Sequence, residues 1–263
     1  MPALYAHDRF GRKVLEQLDG ELFDIISKYY TQFQIGLQGP DIFFFYKAYS
    51  SNRVTKYGYQ LHFLSAAPFL QHAVDVIHEK GRDSREYAYL LGFLCHFVLD
   101  SECHPYVEEM MQKTRVGHLE IEEEFEKMLL RKDGKNPLSY PLCELVPTDN
   151  VTAKSIYLFY EHMDPPTIKT ALQYLKFIKW FFTAPSFLHQ GAINLAMKLL
   201  KKEDSYKGLM HLRKDNPKCK QSNMGLYKHF QDAIPLAVEL IYDYDNTVNS
   251  GKELNPRFDR NFE

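Results

Sequence analysis

The chain has 263 residues, 45% of them hydrophobic, enough for one sizeable core, and a formal charge of −2 that offers no basic footprint for tight binding along a nucleic-acid backbone. No apolar run reaches the ~18 residues that a membrane-spanning helix requires, and the opening MPALYAHDRFGRKVLEQL lacks an apolar leader core or a small-residue cleavage site. A cytoplasmic protein is therefore the expectation, with the scattered cysteines Cys95, Cys103, Cys143 and Cys219 as free thiols.

Helical periodicity dominates from the start. Val14–Tyr30 places Val14, Leu15, Leu18, Leu22, Ile25 and Ile26 at helical spacing, interrupted at Gly20. GLQGPD, at Gly36–Asp41, reads as a sharply turning loop. Tyr59–Lys80 is a second helical stretch, in which Pro68 marks either a kink or the junction of two shorter helices. Ser84–Met111 is a long apolar helix capped by Asp83 or Ser84, and His118–Arg131 is an acidic one. Gly and Pro punctuate Lys132–Asn150, which reads as a loop. Two more helices follow at Val151–Met163 and Thr167–Phe182, separated by DPP. The last pair, Ser186–Lys202 and Leu226–Thr247, is joined by a charged, flexible connector at Lys201–Asn223. Period-2 alternation is nearly absent, so the expected fold is an all-α, multi-helix bundle forming one domain over residues 1–263.

The chemistry concentrates in the first 122 residues. In HFVLDSECH, His96, Asp100 and His104 stand at i, i+4 and i+8, on one face of a helix. In HLEIE, His118 and Glu122 again stand at i and i+4. Imidazole and carboxylate are ordinary zinc ligands, and two of them one turn apart can share an ion. His96 and His104 are separated by roughly 12 Å along the axis, which argues against their sharing one ion, while Asp100 midway could bridge two. More than one metal is implied, an arrangement suited to phosphoryl chemistry. A single HxxxD pair is often only a surface pair; HxxxDxxxH followed by HxxxE is much harder to obtain by chance. An apolar helix also has little reason to turn His and Asp inward unless something satisfies them.

The segments AHDRFG, GLQGPDIFFFY, GYQLHF, AYLLGFLCHFVLDSECHPYV and GHLEIEEEF resemble the zinc-dependent phospholipase C family, which includes bacterial phospholipases C and the catalytic domain of clostridial alpha-toxin and shares its fold with zinc-dependent single-strand nucleases. The resemblance covers about the first half of the chain. It implies a zinc-dependent phosphoric ester hydrolase acting on phospholipid or small phosphodiester substrates, with a metal-activated water attacking phosphorus and two to three Zn2+ ions. By position, His62, His96 and Asp100, with Asp41 close by, would hold one zinc, and His104, His118 and Glu122 a second. His7 and Asp100 would share the third with the N-terminal amine, which requires Met1 removal to free Pro2. Asp41 would also be the catalytic general base. Against secreted members, the chain is expected to have neither a leader nor a C-terminal membrane-binding domain, and its spacing from Asp100 to His104 is shorter. The alternatives are a single-strand nuclease or nucleotidase-like hydrolase, and a non-catalytic metal-binding interaction protein.

Other residues carry blander expectations. Phe43, Phe44, Phe45 and Tyr46 read as core packing ahead of a wall beside the phosphate. Glu102 and Cys103 should point away from the ligand face. His72, His78, His162, His189, His211 and His229 match no site motif, and Glu120–Glu126 is expected to be a solvated face with Glu122 alone turned inward.

Overall fold

A computed structural model describes residues 3–199 and 208–263. The fold is all-α, with no strand among the described residues and no helix there long and apolar enough to cross a membrane. Helix α1 (Leu4–Leu15) begins earlier than the apolar spacing indicates, and the Val14–Tyr30 stretch is divided. Its break falls just before Gly20, which opens α2 (Gly20–Lys28) at a φ of +59°. A third helix, α3 (Tyr30–Gly36), runs into a 3-10 turn at Gly39–Phe43, so the expected loop is in fact regular structure carrying Asp41. Pro68 marks a junction, not a kink: α4 (Arg53–Phe63) ends before it, and it lies in the first turn of α5 (Ala67–Lys80), where a missing N–H costs nothing.

At the centre lies α6 (Arg85–Thr114), capped by Ser84, whose Oγ accepts the Tyr87 N–H at 3.2 Å. Residues Tyr87–Ser101 of α6 are buried without interruption, so this stretch is enclosed on every side and not amphipathic. It packs against α3 and the long C-terminal helix α11 (Lys220–Ser250). Backbones meet closely at the α3 crossing: a Cβ on Gly36 would lie 2.1 Å from the Tyr89 carbonyl oxygen, and one on Gly92 2.1 Å from that of Phe33. Pro105, inside α6, cannot donate to the Ser101 carbonyl one turn back. The Arg260 guanidinium donates to that carbonyl instead, at 2.6 Å. A C-terminal strap through the 3-10 turn at Pro256–Asp259 is thereby fastened to the middle of the bundle.

The remaining helices are α7 (His118–Lys132), α8 (Asn150–Ile156), α9 (Pro165–Phe182) and α10 (Phe187–Leu199). Asp149 and Asp164 cap α8 and α9 by accepting the N–H groups of Thr152 and Thr167, each at 2.8 Å. Helix α8 stops short of the expected Met163, giving way to a 3-10 turn at Tyr157–Phe159. The C-terminal part of the helix expected at Ser186–Lys202, and the first part of the connector, lie outside the described residues. The rest of that connector is not a loose link: residues 208–216 pack along α7, and the chain is helical again from Lys220.

Candidate metal centre

Five elements converge on one buried polar cluster. Helix α1 supplies His7, the 3-10 turn Asp41, α4 His62, α6 His96, Asp100 and His104, and α7 His118 and Glu122. All are buried except His118, whose side chain is 29% exposed and marks the open end of the cluster. Gly39 lets the Asp41 turn approach α6: its φ is +47°, and a Cβ there would fall 2.2 Å from His96 Cδ2.

Three triads of potential ligand atoms result, each with its atoms within 4.8 Å of one another: Asp41, His62 and His96; His7, His96 and Asp100; and His104, His118 and Glu122. All eight residues singled out in the sequence are thus brought together. The pairing is tight. His62 Nε2 lies 2.9 Å from Asp41 Oδ1, His7 Nε2 3.2 Å from Asp100 Oδ1, and His96 Nε2 3.3 Å from Asp100 Oδ2. His118 Nε2 lies 2.6 Å from Glu122 Oε1. His96 belongs to two triads, and its ring stacks on His7 at 4.5 Å.

Second partners fix the rings. Nδ1 of His62 faces the Gly58 carbonyl at 2.9 Å, that of His96 the Leu37 carbonyl at 3.2 Å, and that of His104 the Phe262 carbonyl at 2.6 Å. A carbonyl only accepts, so each Nδ1 carries the proton and each Nε2 turns a lone pair inward. Burial pushes the His96 imidazole down to about 3, against the pull of Asp100, so it is neutral at ordinary pH.

Among the described residues, Nε2 of His7, His62 and His96, both oxygens of Asp100 and both of Glu122 are buried without a hydrogen-bonding partner. Acceptor facing acceptor at this depth is costly unless a cation lies between them. The donor set of nitrogen and oxygen without thiolate fits zinc. Cys103, whose thiol burial pushes up, belongs to none of the triads, and Glu102 turns outward to Arg257 and Arg260.

Over residues 6–181 the sequence matches the family described as zinc dependent phospholipase C. The chain belongs to that family. Membership makes zinc dependence and a hydrolase the natural frame for the triads. No curated protein and no solved structure matches the chain.

Several features lie beyond the sequence motifs. The C-terminal strap closes the centre: the Phe262 N–H donates to the His62 carbonyl at 3.2 Å, and its ring lies 5.2 Å from that of His62 and 5.7 Å from that of His96. Phe44 is not simple core; it lies 4.8 Å from the His62 ring and stacks on Tyr59 at 4.3 Å, whereas Phe43 is buried against Tyr160. The acidic run is not a solvated face. Glu123, Glu124 and Glu126 are as buried as Glu122, because residues 208–216 cover them with donors. Glu126 accepts the Tyr5 N–H at 2.5 Å and His211 Nε2 at 3.0 Å, and Glu124 accepts Lys127 Nζ at 2.7 Å. His211 is therefore a buried structural imidazole.

Proposed function

We propose that the chain is a zinc-dependent phosphoesterase of the phospholipase C kind, hydrolysing a phospholipid or small phosphodiester by attack of water on phosphorus. The observation that carries this reading is that the three triads turn Nε2 of His7, His62 and His96 and both carboxylate oxygens of Asp100 and Glu122 inward, buried and without a hydrogen-bonding donor. His7, Asp41, His62, His96, Asp100, His104, His118 and Glu122 are assigned to hold two to three zinc ions. Bound zinc supplies Lewis acidity, lowering the pKa of water and neutralising charge that develops on phosphoryl oxygens.

Asp41 is assigned as the general base. Its Oδ1 lies 2.9 Å from His62 Nε2, at the edge of the triad, where a carboxylate oxygen can take the proton from the attacking water. The backbone carbonyls of Gly58, Leu37 and Phe262 hold the three imidazoles in one tautomer, so that no ring reorientation accompanies the reaction. Phe44 and Phe262 shield the His62 side from water. The Pro2 amine, which would serve as a further ligand after loss of Met1, lies outside the described residues.

The test is elemental analysis of purified, untagged protein together with turnover of a phosphatidylcholine analogue and a short single-stranded oligonucleotide. Bound zinc with phosphatidylcholine cleavage, abolished in Asp41→Asn, is the expected result. Full turnover in Asp41→Asn would remove the base assignment. Preference for the oligonucleotide would move the protein to the nucleases, and failure to take up zinc would end the enzymatic reading.

A further inference from the structure

The outward side of α4, the helix that carries His62, has an unusual composition. Its exposed positions are Arg53, Lys56, Tyr59, Gln60 and Phe63, which helical spacing gathers into one stripe opposite His62. Tyr59 is 50% exposed, Phe63 66% and the adjoining Leu64 49%. No Asp or Glu occurs anywhere in residues 42–74, although the whole chain has 34 acidic residues, and Lys47 adds a third cation to the segment. Neither Arg53 nor Lys56 is engaged in an ion pair among the described residues. A recess of about 410 Å³ opens beside the stripe, lined by Arg53, Lys56, Tyr57 and Gln60, with Glu161 across it.

Exposed aromatics beside unpaired cations, on a helix without a single acid and with Glu161 across the recess as the one carboxylate lining it, match an interface where apolar chains lie beneath negative head groups. A protein partner of ordinary composition would not call for that exclusion. The geometry points to this face of α4 as the surface by which the protein seats on an anionic lipid bilayer. Seating there sets the bilayer next to the Tyr59–Phe44 stack that covers His62. The inference deepens the phosphoesterase reading by naming where its substrate is met, and rests on that reading only for the purpose of the contact.

The test is co-sedimentation of the zinc-loaded full chain with vesicles of phosphatidylcholine alone or mixed with phosphatidylglycerol, at low and high salt. Alongside it, hydrolysis of a water-soluble short-chain phosphodiester is measured. Binding to the mixed vesicles is expected, weakened by salt, reduced on the order of tenfold or more by Arg53→Glu with Lys56→Glu, and reduced several-fold by Phe63→Ser with Leu64→Ser. Hydrolysis of the soluble substrate should stay within about twofold of wild type in the charge-reversal variant, since its positions are exposed and outside the triads. The inference is overturned if wild type ignores the mixed vesicles, if the variants sediment as wild type does, or if the face proves to be a dimer contact that Phe63→Ser dissolves. Vesicle binding without hydrolysis of any phosphodiester would instead remove the proposed function and leave the lipid surface standing.

Discussion

Glu122 and Glu126 stand one turn apart on α7, both nearly inaccessible, and differ in what faces them. Glu126 meets donors: the Tyr5 backbone N–H and His211, whose other nitrogen donates to the Pro137 carbonyl at 2.8 Å. Glu122 meets the Nε2 atoms of His104, at 3.7 Å, and of His118, without hydrogen-bond geometry to either. Residue type, helix and burial are the same on both sides of that turn. Only the inventory of donors separates a network that the protein completes for itself from a cluster that needs a cation, and buried acidity alone is therefore no sign of a metal.

The largest expected effect is at the residue shared by two triads. His96→Ala should lower bound zinc by at least one ion per chain and cut phosphodiesterase turnover by at least roughly 10³-fold, beyond the 10–100-fold typical of outer-shell changes. Elemental analysis and steady-state kinetics measure both; retention of zinc and turnover would break the distinction drawn above. On the self-satisfied side, Lys127→Met strips Glu124 of its cation and should cost about 3–5 kcal/mol in denaturant unfolding while zinc content stays unchanged. Loss of zinc in that variant would mean that the two regions are one.

A third contrast lies in pH. Burial pushes Glu123 up to about 7 from an ordinary 4.5. The folded protein thus keeps a proton that the unfolded chain has released, so this residue's contribution to stability is full below pH 4.5 and is lost as pH rises through about 7. Glu123→Gln should flatten the stability profile across that window, by about 3 kcal/mol, in unfolding curves taken at intervals of pH. The smallest effect is expected at the strap. Deleting Phe262 and Glu263 removes the carbonyl that holds His104 Nδ1 and should weaken zinc affinity or turnover about 10–100-fold without unfolding the bundle.

Much of the centre was legible because helices convert spacing into direction. His96, Asp100 and His104 had to share a face once Tyr87–Val98 read as helix, and His118 with Glu122 likewise; the four-residue repeat is the geometry itself. His7, Asp41 and His62 were reached through the family motifs, since each stands on a different element and no spacing links them. The misread parts share a cause. The run at Glu120–Glu126 looked solvated because its donors, His211 and the backbone of residues 212–216, lie about ninety residues away.

By itself, then, the sequence determined the all-α class and the one-face alignment along α6, both consequences of local periodicity, and the ligand chemistry, through residue type and family motif. Tertiary structure alone decided that His96 serves two triads, that Gly39 admits Asp41 against α6, and that Phe262 closes the centre. Each of these depends on which distant segment meets a given side chain, and whether a buried carboxylate is satisfied is a property of that meeting, not of the residue.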